Sequence, residues 1–387
     1  MSHAKGSNFK LVCGFETVFN TVPDPATGLV LPVNSVSLRA DQPLKTSGTI
    51  FRGRNPSEPN AGFVSVSGDV AVPMEASGLG FWLTCLLGQP VTTQAAAKNI
   101  AAGPAVNKGG GKVGIPVTAH GIAAGVTVTV AGTTSYNGEY VVDKTSTVNE
   151  IVITHAYTAE TFSSGTVRPK IYTHVYGVPD EAPSFFSEKQ FTDIVQHEMI
   201  TGCKVQRFGT RVGGDGELVA TVGVEGCNAM ALSSTSLVDT EVELSLARFL
   251  FDGVTIHEAG SAYGKAKEFS LDIGADLDTD SYFVGGGGMR GSLAEGVMSL
   301  GGTMKAVFDG PALLEKGRAH TDTSIVLSYS RAVESLSFEF QEVQISRTSP
   351  PMDTPRGLYC DVNWQAFLRG SSGSAVTATL VNQVSGY

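Results

Sequence analysis

Phe63-Val64-Ser65-Val66-Ser67-Gly68-Asp69-Val70-Ala71-Val72-Pro73-Met74-Glu75, followed by Gly78-Leu79-Gly80-Phe81-Trp82-Leu83 and Leu86-Leu87-Gly88, has the pattern of a strand that runs into a short helix. From Val64 to Val72 apolar and polar residues alternate with the period of a half-buried strand. Ser77 to Leu87 then reads as a short helix. Ser77 suits its N-cap and Gly88 its C-terminus, while Leu79, Leu83, Leu86 and Leu87 form a stripe to pack on a sheet. The same succession recurs at Met298-Ser299-Leu300-Gly301-Gly302-Thr303-Met304-Lys305-Ala306-Val307, followed by a second short helix from Asp309 to Lys316. There Asp309 suits the cap, Pro311 the first turn and Gly317 the close, with Leu313 and Leu314 apolar.

Other landmarks repeat in the same order, once between residues 10 and 230 and again between 248 and 370. Ser35-Val36-Ser37-Leu38-Arg39-Ala40 matches Glu268-Phe269-Ser270-Leu271-Asp272-Ile273. Two strands, Cys203 to Val212 and Glu217 to Glu225, match Ser335 to Ser346 and Gly357 to Ala366. Gly213-Gly214-Asp215-Gly216 makes a tight hairpin in the first copy, whereas a longer proline-bearing loop, Thr348 to Arg356, takes its place in the second. Between helix and hairpin of the first copy lies an insertion. Gln94 to Gly111 reads as an Ala- and Gly-rich linker, and from Val113 short strands around Val126–Val130, Glu139–Val142 and Ile151–Ile153 predict a compact β-domain. The chain returns to its parent domain with Tyr172 to Gly177. The expected fold is mainly β: duplicated β-sandwich or barrel domains, each with a short helix, plus an inserted Ig-like or small β-sandwich domain. The expected division is 1–93 and 170–247 for the two parts of the first domain, 94–169 for linker and insert, and 248–387 for the second domain.

Composition agrees with this class. Forty-six Gly in 387 residues and only 17 % charged residues suit short strands joined by many turns. A net charge of −10 without Lys/Arg clusters argues against a dedicated nucleic-acid binder, though not against passing DNA without gripping it. The five Cys are scattered and form no CxxC, which predicts reduced thiols rather than a disulfide framework. The N-terminus, Met1 to Lys10, lacks a signal-peptide core, and no window approaches the ~18 apolar residues of a membrane span, so a soluble protein not secreted by that route is expected.

Catalytic signatures fail one by one. None of the seven His residues sits four from another, and His197-Glu198 and His257-Glu258 lack the second His of a zinc-protease helix. Gly285-Gly286-Gly287-Gly288-Met289-Arg290 and Gly109-Gly110-Gly111-Lys112 lack phosphate-loop spacing and read as flexible loops. Gly370-Ser371-Ser372-Gly373-Ser374 has no nucleophile-elbow context. Asp272, Asp276, Asp278 and Asp280 cluster without the Gly and Glu of a calcium loop. A glycosidase carboxylate pair is recognised by separation in space, and no feature of the sequence points to one. No catalytic residue, metal or cofactor is expected.

The strand–helix segment from Phe63 to Gly88, together with Gly202-Cys203-Lys204-Val205 ahead of a hairpin, resembles the tail tube proteins of long-tailed bacteriophages. The resemblance is best over residues 35 to 230, apart from the insert. It implies a structural virion protein whose sheets join neighbouring subunits into rings that stack into a hollow tube for DNA ejection. The implied partners are other copies of the chain, the tape-measure protein, the tail terminator, and baseplate or tail-tip proteins. DNA is expected only transiently in the lumen, and no membrane is expected. Assembly is expected in the host cytoplasm. The candidate lumen-facing acids are Asp272, Glu339 and Glu342. Loops at Pro23 to Asn34, Asp41 to Gly62 and Thr348 to Arg356 are long enough to join rings, with Asp24, Arg52, Arg54, Asp353 and Arg356 as candidate contacts.

Three alternatives remain open at this point. Tyr136, Tyr140 and Tyr157 in the insert motivate an adhesin or carbohydrate-binding surface protein of the tail, although aromatics at such spacing are more often strand core. A wall-degrading enzyme would need convergent carboxylates. A secretion-system tube ring is close in class, but such rings come from a single undecorated domain.

Overall fold

Burial alternates along many of the strands, as a sheet with one apolar and one polar face requires, and the computed structural model describes residues 3–49, 54–350, 352, 357–370 and 373–387. The chain divides into two units. The first comprises residues 1–89, 176–329 and 337–378, and the second residues 90–175, 330–336 and 379–387.

In the first unit, a 3-10 turn at Gly6–Asn8 leads into β1 (Phe9–Phe15), followed by β2 (Thr27–Leu31), β3 (Ser35–Val36), β4 (Arg39–Asp41), β5 (Ser65–Pro73) and α1 (Leu79–Leu87). After the insert come β6 (Phe185–Phe191), β7 (Gln196–Val212) and β8 (Val219–Gly226). The order then starts again. A 3-10 turn at Phe251–Gly253 leads into β9 (Val254–Glu258), β10 (Ser261–Ala262), β11 (Ala266–Gly274), β12 (Ser299–Val307), α2 (Ala312–Ala319), β13 (Thr323–Arg331), β14 (Glu334–Ile345) and β15 (Tyr359–Ala366).

Pairing repeats with the order. Antiparallel β1 pairs with β2 and β6, as β9 pairs with β10 and β13. The ladder β3/β4–β5–β8–β7 of the first half has its counterpart in β11–β12–β15–β14 of the second. The two ladders join through β7 and β11, with Arg207 opposite Gly274 and Val212 opposite Phe269.

The correspondence reaches single hydrogen bonds. Asp69 N–H donates to Ser37 Oγ at 2.8 Å, and Thr303 N–H donates to Ser270 Oγ at 3.0 Å. Glycine is required beside each serine, because a Cβ at Gly68 would lie 2.5 Å from Leu38 Cα and one at Gly302 would lie 2.0 Å from the Ser270 carbonyl oxygen. The predicted strand Ser35 to Ala40 is accordingly two short pieces, β3 and β4, interrupted at Ser37 and Leu38.

β7 spans 17 residues because it serves two sheets. Its first half pairs with β6, and its second half lies between β8 and β11. The turn from one role to the other occurs near Gly202, whose φ of +62° suits glycine and whose N–H donates to Glu16 Oε1 at 2.8 Å.

All nine residues of α1 are buried. Phe81 meets Phe15 at 4.8 Å and Phe185 at 5.6 Å between ring centroids. Gly88, with φ of +74°, closes α1 as expected, but its N-terminal cap differs from expectation. The N-cap position is Gly78 rather than Ser77, and the Glu75 carboxylate accepts N–H groups from Ser77 at 2.7 Å, from Leu79 at 3.1 Å and from Gly78. A buried helix start has no water to satisfy its N–H groups, so a carboxylate just ahead of the helix does so. In α2, Asp309 pairs with Lys265 instead of capping, and Gly317 is buried inside the helix. His320, in the left-handed region, closes it.

The second unit gathers several small sheets around one core. Lys112–Pro116 pairs with Val106–Gly109 and Glu150–Thr154; Thr127–Ala131 pairs with Gly138–Val141 and Thr166–Pro169. Val113, Ile151, Val128 and Val167 meet in that core. The expected linker is part of this fold: Val91–Gln94 pairs with Tyr172–Tyr176, Lys98–Asn99 pairs with Thr166–Val167, and Ile100 and Ala105 enter the core. The C-terminus belongs here too, since His174 Nε2 lies 3.1 Å from Asn382 Oδ1 and Thr127 N–H donates to Gln383 at 3.0 Å. Tyr136 is fully buried and Tyr140 packs on the core, which leaves Tyr157 as the exposed member of the three tyrosines.

Candidate functional site

The outward face of the ladder running through β5, β8, β7, β11, β12 and β15 is polar because burial alternates along it, most regularly in β11 and β15. Phe269, Leu271 and Ile273 of β11 are buried while Ser270 and Asp272 face outward. On β15 Val362 and Trp364 are buried while Asp361 and Asn363 are exposed. Beneath this face Trp364 stacks on Phe269 at 5.5 Å and meets Phe340 at 5.0 Å.

Charges on the face are largely cross-linked. Arg207 reaches Asp69 at 2.8 Å, Arg211 pairs with Glu268, and Lys305 lies opposite Asp361 in register. The Arg211 hydrogen bond holds the Glu268 carboxyl below the usual carboxylate range. Asp272 differs from these acids. It lies between Gly209 and Gly301 in register, its hydrogen bond comes from Ser270 Oγ at 3.5 Å, and it has no ion pair among the described residues. Two grooves of about 500 and 590 Å³ flank it, one lined by Gly301, Gln344 and Asn363 and the other by Arg207, Gly209 and Thr221. The face presents an open wall of small and polar side chains with acids in slight excess. Among the described residues no group of three His, Cys, Asp or Glu is placed to hold a metal ion.

The other acids stand elsewhere. Glu339 accepts from Gln341, and Glu342 accepts the Arg369 N–H at 2.5 Å, both on β14 ahead of the Val343–Ile345 stretch that pairs with β15. Of the ring-joining candidates, Asp24 and Arg54 are exposed, while Arg52, Asp353 and Arg356 lie outside the described residues. Pro23 to Asn34 is not a free loop, since it contains β2, which pairs with β1 and, in parallel, with Thr240–Glu243. Asp41 to Gly62 contains a short ladder, Leu44–Lys45 against Asn60–Ala61.

A family model for phage tail tube proteins matches residues 6–366. The chain belongs to the phage tail tube protein family. No curated protein matches it. For a tail tube protein the functional site is a surface and its edges, so buried groups that hold those edges in place matter as much as the polar face.

Sequence reading missed the most important of these groups. The segment between β11 and β12 contains the glycine run read as flexible, yet Arg290 at its end is buried. Its guanidinium donates to the carbonyls of Thr279 at 2.9 Å, Val66 at 3.1 Å and Gly226 at 3.1 Å, and to Glu225 at 2.7 Å. Lys204, also buried, holds the same segment through Glu295 at 2.6 Å. Stacking of Phe63 on Tyr282 at 4.4 Å adds a third tie. An Arg two residues after a glycine run was the available signal, because glycines let a loop descend close enough for a long side chain to reach a sheet end.

Proposed function

We propose that this tail tube protein polymerises into stacked rings that form the hollow tube through which DNA is ejected, with three chains per ring and pseudo-sixfold symmetry. The carrying observation is the repeated ladder with its β7–β11 junction: each chain contains two equivalent ladders joined edge to edge, which in this reading fill two adjacent ring positions. A closed ring removes the exposed strand edges that otherwise template uncontrolled pairing. Joining two positions covalently makes every other junction intramolecular and raises the effective concentration for closure.

In this reading residues 1–93 with 170–247 form one tube domain, 248–387 the second apart from the 379–387 tail, and 94–169 a decoration into which that tail packs. The polar face with Asp272 lines the bore, where uncompensated acids keep DNA from adhering through its phosphates. Glu339 and Glu342 extend the acidic lining, and loops carrying Asp24, Arg52, Arg54, Asp353 and Arg356 dock successive rings. Tape-measure, terminator and baseplate or tail-tip proteins contact the tube in the virion after assembly in the host cytoplasm.

Electron microscopy of the purified protein tests the proposal. Hollow filaments or rings with three chains around the bore are expected. Six identical chains around the bore would overturn the trimer, and discrete monomers would overturn the tube.

A further inference from the structure

The internal repeat shows how two equivalent halves meet within a chain, and therefore which edges are left for two chains to meet. β7 corresponds to β14 and β11 to β3/β4, and the junction within the chain is β7 on β11. That leaves β3/β4, which pairs with β5 alone among the described residues, and the segment following β14. Val205-Gln206-Arg207 aligns with Ile345-Ser346-Arg347, since Val205 pairs with Val224 on β8 as Ile345 pairs with Trp364 on β15. Arg347–Pro350 is then the counterpart of Arg207–Thr210, and it has no strand partner among the described residues.

We propose that Arg347–Pro350 of one copy lies antiparallel along Leu38–Asp41 of the next copy, in the register of β7 on β11. This inference rests on the ring reading above and specifies its closing contact. Leu38 corresponds to Leu271 and Asp41 to Gly274, so Arg347 stands opposite Asp41, Thr348 opposite Ala40, Ser349 opposite Arg39 and Pro350 opposite Leu38.

Two independent features fit this register. The first is charge: Arg347 is exposed and falls opposite an exposed Asp41, which itself holds Arg39 at 2.8 Å. The second is the proline. Ala275 N–H donates to Gln206 O at 2.8 Å, and this sets the alternation of the β7–β11 junction so that Thr210 and Leu271 are a hydrogen-bonded pair. Pro350, the counterpart of Thr210, has no N–H to give to the Leu38 carbonyl. That carbonyl already accepts Lys189 Nζ at 2.8 Å. The missing donor falls opposite an acceptor that the chain satisfies by itself.

Disulfide trapping tests the register. Arg347 and Asp41 form a non-hydrogen-bonded pair, the closely spaced type that a disulfide can bridge. The double variant Arg347→Cys, Asp41→Cys, assembled and oxidised, should give a non-reducing gel ladder of two and three joined chains that collapses on reduction. The shifted pair Ser349→Cys, Asp41→Cys should give at least tenfold less. Tubes that form normally without cross-linking, or that cross-link equally in the shifted pair, would overturn this junction and leave the ring reading standing. A wild-type chain that never assembles would overturn both. Should the cysteine pair block assembly, charge reversal decides: Arg347→Glu should lose assembly and Asp41→Arg in the same chain should restore it, and failure of that restoration rejects the register.

Discussion

Arg290 Nη1 lies 2.7 Å from Glu225 Oε2, with the guanidinium 6 % and the carboxylate 18 % exposed. The same nitrogen also donates to the Val66 and Gly226 carbonyls, so one side chain ties the segment between β11 and β12 to the ends of β5 and β8. Arg290→Ala would leave a largely buried carboxylate and two buried carbonyls without their donor. A loss of about 3–5 kcal/mol is expected, read as a lower midpoint in chemical denaturation. Arg290→Lys should recover only part of it, because an ammonium cannot reproduce the planar fork. An unchanged midpoint for Arg290→Ala would mean the segment is held by other contacts.

Stability should carry an unusual acid dependence from Glu16 and Glu75. Burial pushes both carboxyls above the ordinary range, and their backbone hydrogen bonds only partly counter it. A raised carboxyl binds its proton more tightly in the folded state. Its contribution is therefore fully present below the unfolded value and is lost as pH rises through the raised folded value. Thermal unfolding of wild type and Glu16→Gln from about pH 4 to 7.5 should show a shallower loss with rising pH in the variant. Parallel curves would show that Glu16 does not titrate in that window.

The thiols should be silent in the native protein. All five cysteines are buried; burial pushes Cys13 up to about 12 and Cys227 to about 11. A thiolate-directed reagent at pH 8 should modify none of them in the folded chain and all five after denaturation. Rapid native labelling of one site would mark a locally open region.

Asp272→Lys should slow genome ejection in a salt-dependent way, because it places an unpaired cation on the proposed wall beside Arg207 and Arg211. Low ionic strength should exaggerate the delay. Ejection that is unchanged across salt would remove Asp272 from the bore.

The tube-family reading, the mainly β class and the repeated strand–helix succession were legible in the sequence because each rests on local order. Period-two burial in β5 and β12, the Ser-Leu match of Ser37-Leu38 with Ser270-Leu271, and Gly88 at the end of α1 are all properties of neighbours along the chain. The polar wall was only partly legible. Asp272 could be placed on an outward strand position, whereas its isolation between Gly209 and Gly301 depends on two other strands.

Tertiary structure alone decided the rest. Ser77 suits an N-cap by its place in the sequence, whereas burial of the helix start removes water as a partner and leaves its N–H groups to the Glu75 carboxylate. Arg290 finds Glu225 65 residues away, a distance at which spacing carries no information and only the order of strands brings the groups together. The double duty of β7, and with it the junction that joins the two halves, follows from a bend at one glycine and from which edges remain free. Local sequence fixes the elements because their periods are set by backbone geometry; the partners of buried charges and strand edges are set by topology, where the cost of leaving a polar group unsatisfied selects the arrangement.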